Sequence, residues 1–241
     1  MNLNEISAPT TAGGGGRVEQ VIAALHEHIR ANGLGPGDAL PSEGGIAAQL
    51  GVSRPVVREA FSSMAALKLI DIGNGRRARV SALDRSVMAH VLDHAVVTDQ
   101  ISVQQILDVR RTVEMRTVEL AALRRTDGEA AEIMGLAAAM RADIEFSERV
   151  MEHDIAFHET IARTSKNPMF ALVVGSFHFV TRQTWPIGWA ARTGQAEHFK
   201  AVAGHEAIAQ AIADRAPRVG AARMAEHFDE TAKMLLAGGI T

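Results

Sequence analysis

Apolar positions follow two regimes along the chain. Up to about residue 81, short helical periods alternate with glycine- and proline-rich breaks. Beyond about residue 84, nearly every apolar spacing is helical. Val18, Ile22, Leu25 and Ile29 predict a first helix from Arg17 to about Ala31, ended by "NGLGPGDALP". A short helix is predicted after Ser42, with Ile46, Ala47 and Leu50 on its apolar side. Another is predicted after Ser53, with Val57, Phe61, Met64 and the stem of Lys68 facing inward. "IDIGNGRRARVSA" switches to a two-residue alternation around Gly73-Asn74-Gly75, the pattern of a small β-hairpin. Later breaks are expected near Thr98-Asp99, Thr126-Asp127-Gly128, Asn167-Pro168, from Trp185-Pro186 through Gly194, and at Pro217. Met140, Ile144, Ser147, Met151, Asp154, His158 and Ile161 predict one unbroken helical stripe. The expected fold is mostly α. A flexible tail over 1–16 precedes a unit of three helices plus a small β-hairpin over 17–81, and an all-α helical bundle fills 84–241.

Composition narrows the chemistry. There is no cysteine among the 241 residues, which removes disulfides, thiolate metal ligands and a cysteine nucleophile. No apolar run reaches the roughly 18 residues of a spanning helix, and the N-terminus lacks a signal-peptide pattern. A cytoplasmic protein with no membrane partner is the expectation. Net charge is −3, yet residues 53–79 hold six basic against two acidic side chains. That local positive patch can hold phosphates on an otherwise acidic protein.

The patch coincides with the two short helices and the hairpin. Ser42 and Ser53 stand at N-cap positions, Gly51 supplies the tight turn, and Pro55 is tolerated in a first turn. Arg54, Arg58 and Ser62 flank the inward stripe, while Arg76, Arg77 and Arg79 lie at or beside the hairpin tip. An arginine at a helix start can meet phosphate or the acceptors of guanine in the major groove. The segment "LPSE…LGVSRPVVREAF…GR" resembles the winged helix-turn-helix of the GntR family of bacterial transcription regulators. The resemblance implies a recognition helix carrying Ser53, Arg54, Val56 and Arg58, and Ser42, Arg76 and Arg77 complete the expected DNA-contact set. Gly44-Gly45 stand where that family carries charged residues, and the wing "GNGRRARV" departs from the family form.

In the second half, Asp154 and His158 share the inward stripe one turn apart. His205 shares a stripe with Val202, Ile208 and Ile212, and His227 with Met224, Thr231 and Met234. Inward polar groups of this kind are either hydrogen-bonded core residues or ligands of one divalent ion. Spacing alone leaves both open. "D..FH..IA..S.NP", then "H..I..AI" and "M..HF", resembles the FCD effector domain of the FadR subgroup of GntR regulators. That resemblance implies Asp154, His158, His205 and His227 as ligands. Four N/O donors without sulfur suit zinc first, with nickel, manganese and iron as alternatives. It also places Arg110, in "ILDVRRTVE", in the effector cavity opposite an acid's carboxylate. His178 and Arg182 are further pocket candidates.

The sequence therefore points to a homodimeric regulator, not an enzyme. It would bind double-stranded operator DNA under the control of a small organic acid held at the metal. The alternatives are a metal-dependent enzyme acting on a small acid and a regulator with a metal-free effector pocket.

Overall fold

A computed structural model describes residues 16–73 and 75–240. Asn74 and the predicted tail up to residue 15 lie outside the described residues. The chain divides into two compact units between Val87 and Met88.

In the first unit, α1 (Arg17–Ala31), α2 (Glu43–Leu50) and α3 (Arg54–Ala66) precede two short antiparallel strands, β1 (Ile70–Asp71) and β2 (Arg79–Val80), with Ile70 opposite Val80. Ser42 caps α2 by accepting from the Gly45 N–H at 3.1 Å. Gly51 ends the helix at φ 65°, a left-handed conformation that glycine enters without strain. Ser53 precedes α3, but its side chain makes no cap bond. Leu25, Leu40, Ile46, Val57, Phe61, Met64 and Ile70 form the core. Lys68 is not part of it: α3 stops at Ala66, and Lys68 turns outward at φ 55°.

The second unit is helical among the described residues: α4 (Ser86–Val97), α5 (Val103–Arg124), α6 (Asp127–Ala142), α7 (Ser147–Thr164), α8 (Pro168–Ser176), α9 (His178–Ala190), α10 (Gln195–Ala213) and α11 (Pro217–Ala237). Capping boxes fix two starts, Ser102 with Gln105 on α5 and Thr126 with Glu129 on α6. Pro168 and Pro217 open α8 and α11, where a missing N–H costs nothing. Val118, Ile133, Met140, Phe157, Ile161, Ile208, Ile212 and Met224 form its core.

Two expectations fail here. The stripe from Met140 to Ile161 is not one helix, because α6 ends at Ala142 and α7 begins at Ser147. The reversal is closed by the Phe146 N–H donating to the Asp143 carbonyl at 2.7 Å, while the Asp143 carboxylate pairs with His153 at 3.0 Å. Met140, Ile144 and Val150 still enter one core across the turn, so the apolar spacing survives the break. Conversely, Pro186 does not end α9, which continues to Ala190. The lost hydrogen bond falls on an exposed turn, and packing of Trp185 and Trp189 against the core holds the helix on course.

Glycines on two helices separate packing from propensity. A Cβ on Gly220 would sit 2.5 Å from Val118 Cγ1, so Gly220→Ala is expected to lose about 1–3 kcal/mol by overpacking. Gly135, exposed in mid-α6, has open space beside it, and Gly135→Ala is expected to gain about 0.5–1 kcal/mol. Denaturant unfolding of the two variants checks the opposite signs.

Candidate metal centre and DNA-reading face

The first unit presents its cations on the outside. Arg54, Arg58, Arg76 and Arg77 are exposed, as is Ser53, whereas Val56 is half-buried and packs against the core. Arg54 lies over α2, its Nη2 3.4 Å from where a Gly44 Cβ would be; the glycine gives this guanidinium its room. Arg58 pairs with Glu43 at 3.4 Å across the two helices, an exposed pair that a phosphate can displace at small cost. Ser42 spends its hydroxyl lone pair on the α2 cap. Arg79 donates to the Gly37 carbonyl at 2.5 Å and so anchors the strand.

In the second unit, α7, α10 and α11 bring Asp154, His158, His205 and His227 together. One ligand atom from each lies within 4.8 Å of all the others. Asp154, His158 and His205 are buried and His227 is half-buried. The His205 and His227 ring centroids are 4.5 Å apart, and those of His158 and His227 5.2 Å.

The hydrogen bonds around the cluster orient its nitrogens. His205 Nδ1 donates to the Ala201 carbonyl at 3.0 Å, which turns Nε2 toward Asp154 Oδ1 at 2.8 Å. With the ring proton on Nδ1, that nitrogen and oxygen both present lone pairs, so a proton or a cation must stand between them. His158 Nδ1 is bonded to Glu114, and its Nε2 is buried with no hydrogen-bond partner, 3.8 Å from Asp154 Oδ1. An orphaned imidazole nitrogen facing a carboxylate and two further imidazoles fits a divalent ion, and the all-N/O donor set suits zinc and its neighbours in the first transition row.

Charge reinforces this fit. Burial alone would raise the Asp154 pKa, but His158, His205 and His227 outweigh it and hold the carboxyl below its ordinary range. Burial, together with the neighbouring imidazoles, pushes His227 well below its usual value, so its ring is neutral. Burial would lower His158 as well, yet the Glu114 and Asp154 carboxylates reverse that and raise it.

Behind His158 stands a second layer. Glu114 accepts from Arg110 Nε at 2.9 Å, and Arg110 Nη1 donates to Thr181 Oγ1 at 2.9 Å. The Arg110 guanidinium also lies 5.1 Å from the Phe228 ring centroid. Glu114 is not among the residues expected from the sequence; its place in "RRTVE", one turn after Arg110, is the signal that marks it.

A cavity adjoins the four clustered side chains and Arg110. Thr181, Thr184, Trp185, Gly188, Trp189 and Arg192 form one wall of it. His178 and Arg182, predicted to line it, do not. His178 Nδ1 is tied to the Gly175 carbonyl at 2.9 Å, and Arg182 is exposed and paired with Glu152 at 2.8 Å. Arg182 lies to the outer side of the stripe of Thr181, Thr184, Trp185 and Gly188, and His178, at the start of α9 one turn before Thr181, is held back by its bond to α8. That stripe was hidden because a helix break was expected at Pro186.

Residues 17–80 match the family described as "Bacterial regulatory proteins, gntR family", and residues 105–230 match the FCD domain. The chain is 31% identical over 144 residues to the HTH-type transcriptional regulator LutR of Bacillus subtilis (strain 168), covering 58% of this chain. The matched region spans 64% of that relative's length, just under two thirds. It is 28% identical over 179 residues to the galactonate operon transcriptional repressor of Escherichia coli (strain K12), covering 70% of this chain and 77% of that one. In fold it is similar to a Streptococcus agalactiae GntR structure, with a TM-score of 0.63 at 20% identity over 90% of this chain and 99% of that one. With a gntR-family module at its start and an FCD domain over more than half its length, the chain belongs to the GntR family of bacterial transcription regulators, in the subgroup that carries an FCD domain.

Proposed function

We propose that the protein is a homodimeric operator-binding regulator, acting in the cytoplasm, whose DNA affinity is set by a small carboxylate bound beside a divalent metal, zinc first. The observation that carries this reading is the cluster itself. Four side chains of metal-ligating type, one with an orphaned nitrogen, line one cavity in a chain of a transcription-regulator family. Asp154, His158, His205 and His227 hold the ion, and the ion supplies a strong positive charge for effector oxygens. Glu114 fixes the His158 tautomer, and Arg110 fixes Glu114. Ser53, Arg54, Val56 and Arg58 lie on the DNA-reading helix, with Ser42 at its approach and Arg76 and Arg77 on the wing. Two copies are required because one such helix reads few base pairs, and a two-fold pair reads a pseudo-palindrome.

This reading assigns no catalysis. Against the rival enzyme stands the family and the engagement of the second layer: Glu114 and Arg110 satisfy each other and His158, and neither is poised as a general base.

The test begins with an operator selected from a random duplex library by the wild-type protein. Arg58→Ala is expected to weaken binding to it by about 10-fold or more, as one good base or phosphate contact is lost, with zinc content and melting temperature unchanged. Unaltered affinity sinks the recognition-helix assignment. Addition of an acid effector to zinc-loaded protein is expected to shift operator affinity by about 5–150-fold, and a chelator abolishes the response. A response that persists in fully metal-free protein favours the metal-free pocket instead.

A further inference from the structure

Gly44 is a glycine with no backbone reason to be one. It lies inside α2, an eight-residue helix with two glycines, and its φ is outside the left-handed range. Glycine is a poor helix former, so each of the two needs a reason outside the helix. Gly45 has one in the cap: a Cβ there would stand 3.3 Å from Ser42 Oγ, which accepts the Gly45 N–H. At Gly44 the three atoms nearest to an added Cβ all belong to the Arg54 guanidinium, Nη2 at 3.4 Å and Cζ and Nε at 3.7 Å. Distances so nearly equal put the face of the guanidinium, not its tip, against the glycine.

Arg54 is exposed at the first position of α3, and its side chain makes no hydrogen bond or ion pair among the described residues. Its neighbours are committed. Arg58, one turn on, gives its Nε to Glu43 at 3.4 Å, and Arg79 donates to the Gly37 carbonyl. Guanidinium donors lie in the plane of the group, so a contact through the face leaves all five N–H groups of Arg54 unspent. An unsupported surface arginine loses rotamer freedom when a partner orders it, and one that is already seated loses less. A planar fork held in one orientation suits the oxygen acceptors of a nucleic acid, on a phosphate or at a base edge.

We infer that Gly44 is a positioning residue for operator binding: its missing side chain seats Arg54 on α2 with every donor free for DNA, at the expense of helix stability. This rests on the recognition-helix reading above and adds to it a residue that acts through Arg54.

The test is a double-mutant cycle on the full chain, with Arg54→Ala, Gly44→Leu and the two combined, against the operator selected by wild type. Arg54→Ala is expected to weaken binding by about 10-fold or more. Gly44→Leu fills the seat and should weaken binding by a similar factor. Because it removes a glycine from a helix, it should also melt higher, by up to about 4 °C. Weaker binding by a more stable protein is not a folding defect. In the Arg54→Ala background, Gly44→Leu should change affinity less than about twofold. If Gly44→Leu melts lower than wild type, Gly44→Ala runs the same cycle with a smaller loss of about threefold, since its Cβ already meets the guanidinium at 3.4 Å. Salt dependence then names the acceptor. A slope shallower by about one in Gly44→Leu marks a phosphate, and an unchanged slope with relaxed preference at one base pair marks a base edge; both uphold the seat. An equal loss from Gly44→Leu with and without Arg54 would mean that residue 44 meets DNA by itself, and this overturns the inference. Wild-type affinity in either single variant overturns it as well. Arg58→Ala still decides the recognition-helix reading separately.

Discussion

Glu114→Ala is expected to lose about 3–5 kcal/mol of folding stability, the cost of breaking a buried ion pair from one side. Glu114 is only 1% exposed and joins Arg110 on one oxygen to His158 on the other. Its removal strands a buried guanidinium and frees the His158 ring to rotate. Denaturant unfolding of metal-free protein measures the loss; a change below about 1 kcal/mol, the range of surface pairs, would show that Glu114 holds nothing. The pH dependence follows from its charge. Burial by itself raises the Glu114 pKa, but His158 and Arg110 outweigh burial and leave it below the ordinary 4.5. The unfolded chain therefore takes up the proton first. The contribution is fully present above about pH 4.5 and is lost as pH falls through the depressed folded value.

Asp154→Ala is expected to abolish metal uptake and, with it, the stabilisation that metal confers. Asp154 is the one carboxylate among the four clustered side chains, and it faces His205 at 2.8 Å. At free zinc 100 times the dissociation constant, wild type should gain about 2.7 kcal/mol over its metal-free form, and the variant nothing. Thermal melts with and without zinc read both. A variant that keeps the full zinc-dependent shift would remove Asp154 from the site. Zinc uptake by wild type should also strengthen as pH rises. The Glu114 and Asp154 carboxylates raise the His158 pKa against burial, so a proton competes with the ion for that ring. Affinity then falls as acidity restores the proton.

The parts of this protein legible in its sequence are those written in local chemistry. Ser42, Gly51 and Pro55 mark the first unit's two short helices because caps and turns depend on a few adjacent residues. The clustering of Asp154, His158, His205 and His227 was legible because each sits on an apolar stripe, where a polar residue stands out, and because the FCD resemblance joined them. The cavity wall was not. Pro186 reads as a break by propensity, and only the burial of Trp185 and Trp189, a long-range effect, carries α9 past it. With the helix cut short, Thr181, Thr184, Gly188 and Arg192 no longer form a stripe, and His178 and Arg182, one turn apart on the shortened helix, stand out instead. The turn at Asp143 was missed for the opposite reason: helical spacing in α6 happens to continue in phase into α7. The link from Glu114 on to His158 could not be read without the packing of α5 against α7.

The most direct measurement is the metal content of the wild-type chain after loading with zinc and exhaustive dialysis, joined to X-ray absorption at the zinc edge. The account predicts about one ion per chain, with a first shell of nitrogen and oxygen at about 2.0–2.2 Å. Fewer than about one ion per ten chains after reloading, where a preformed site of this donor set should fill, would contradict it.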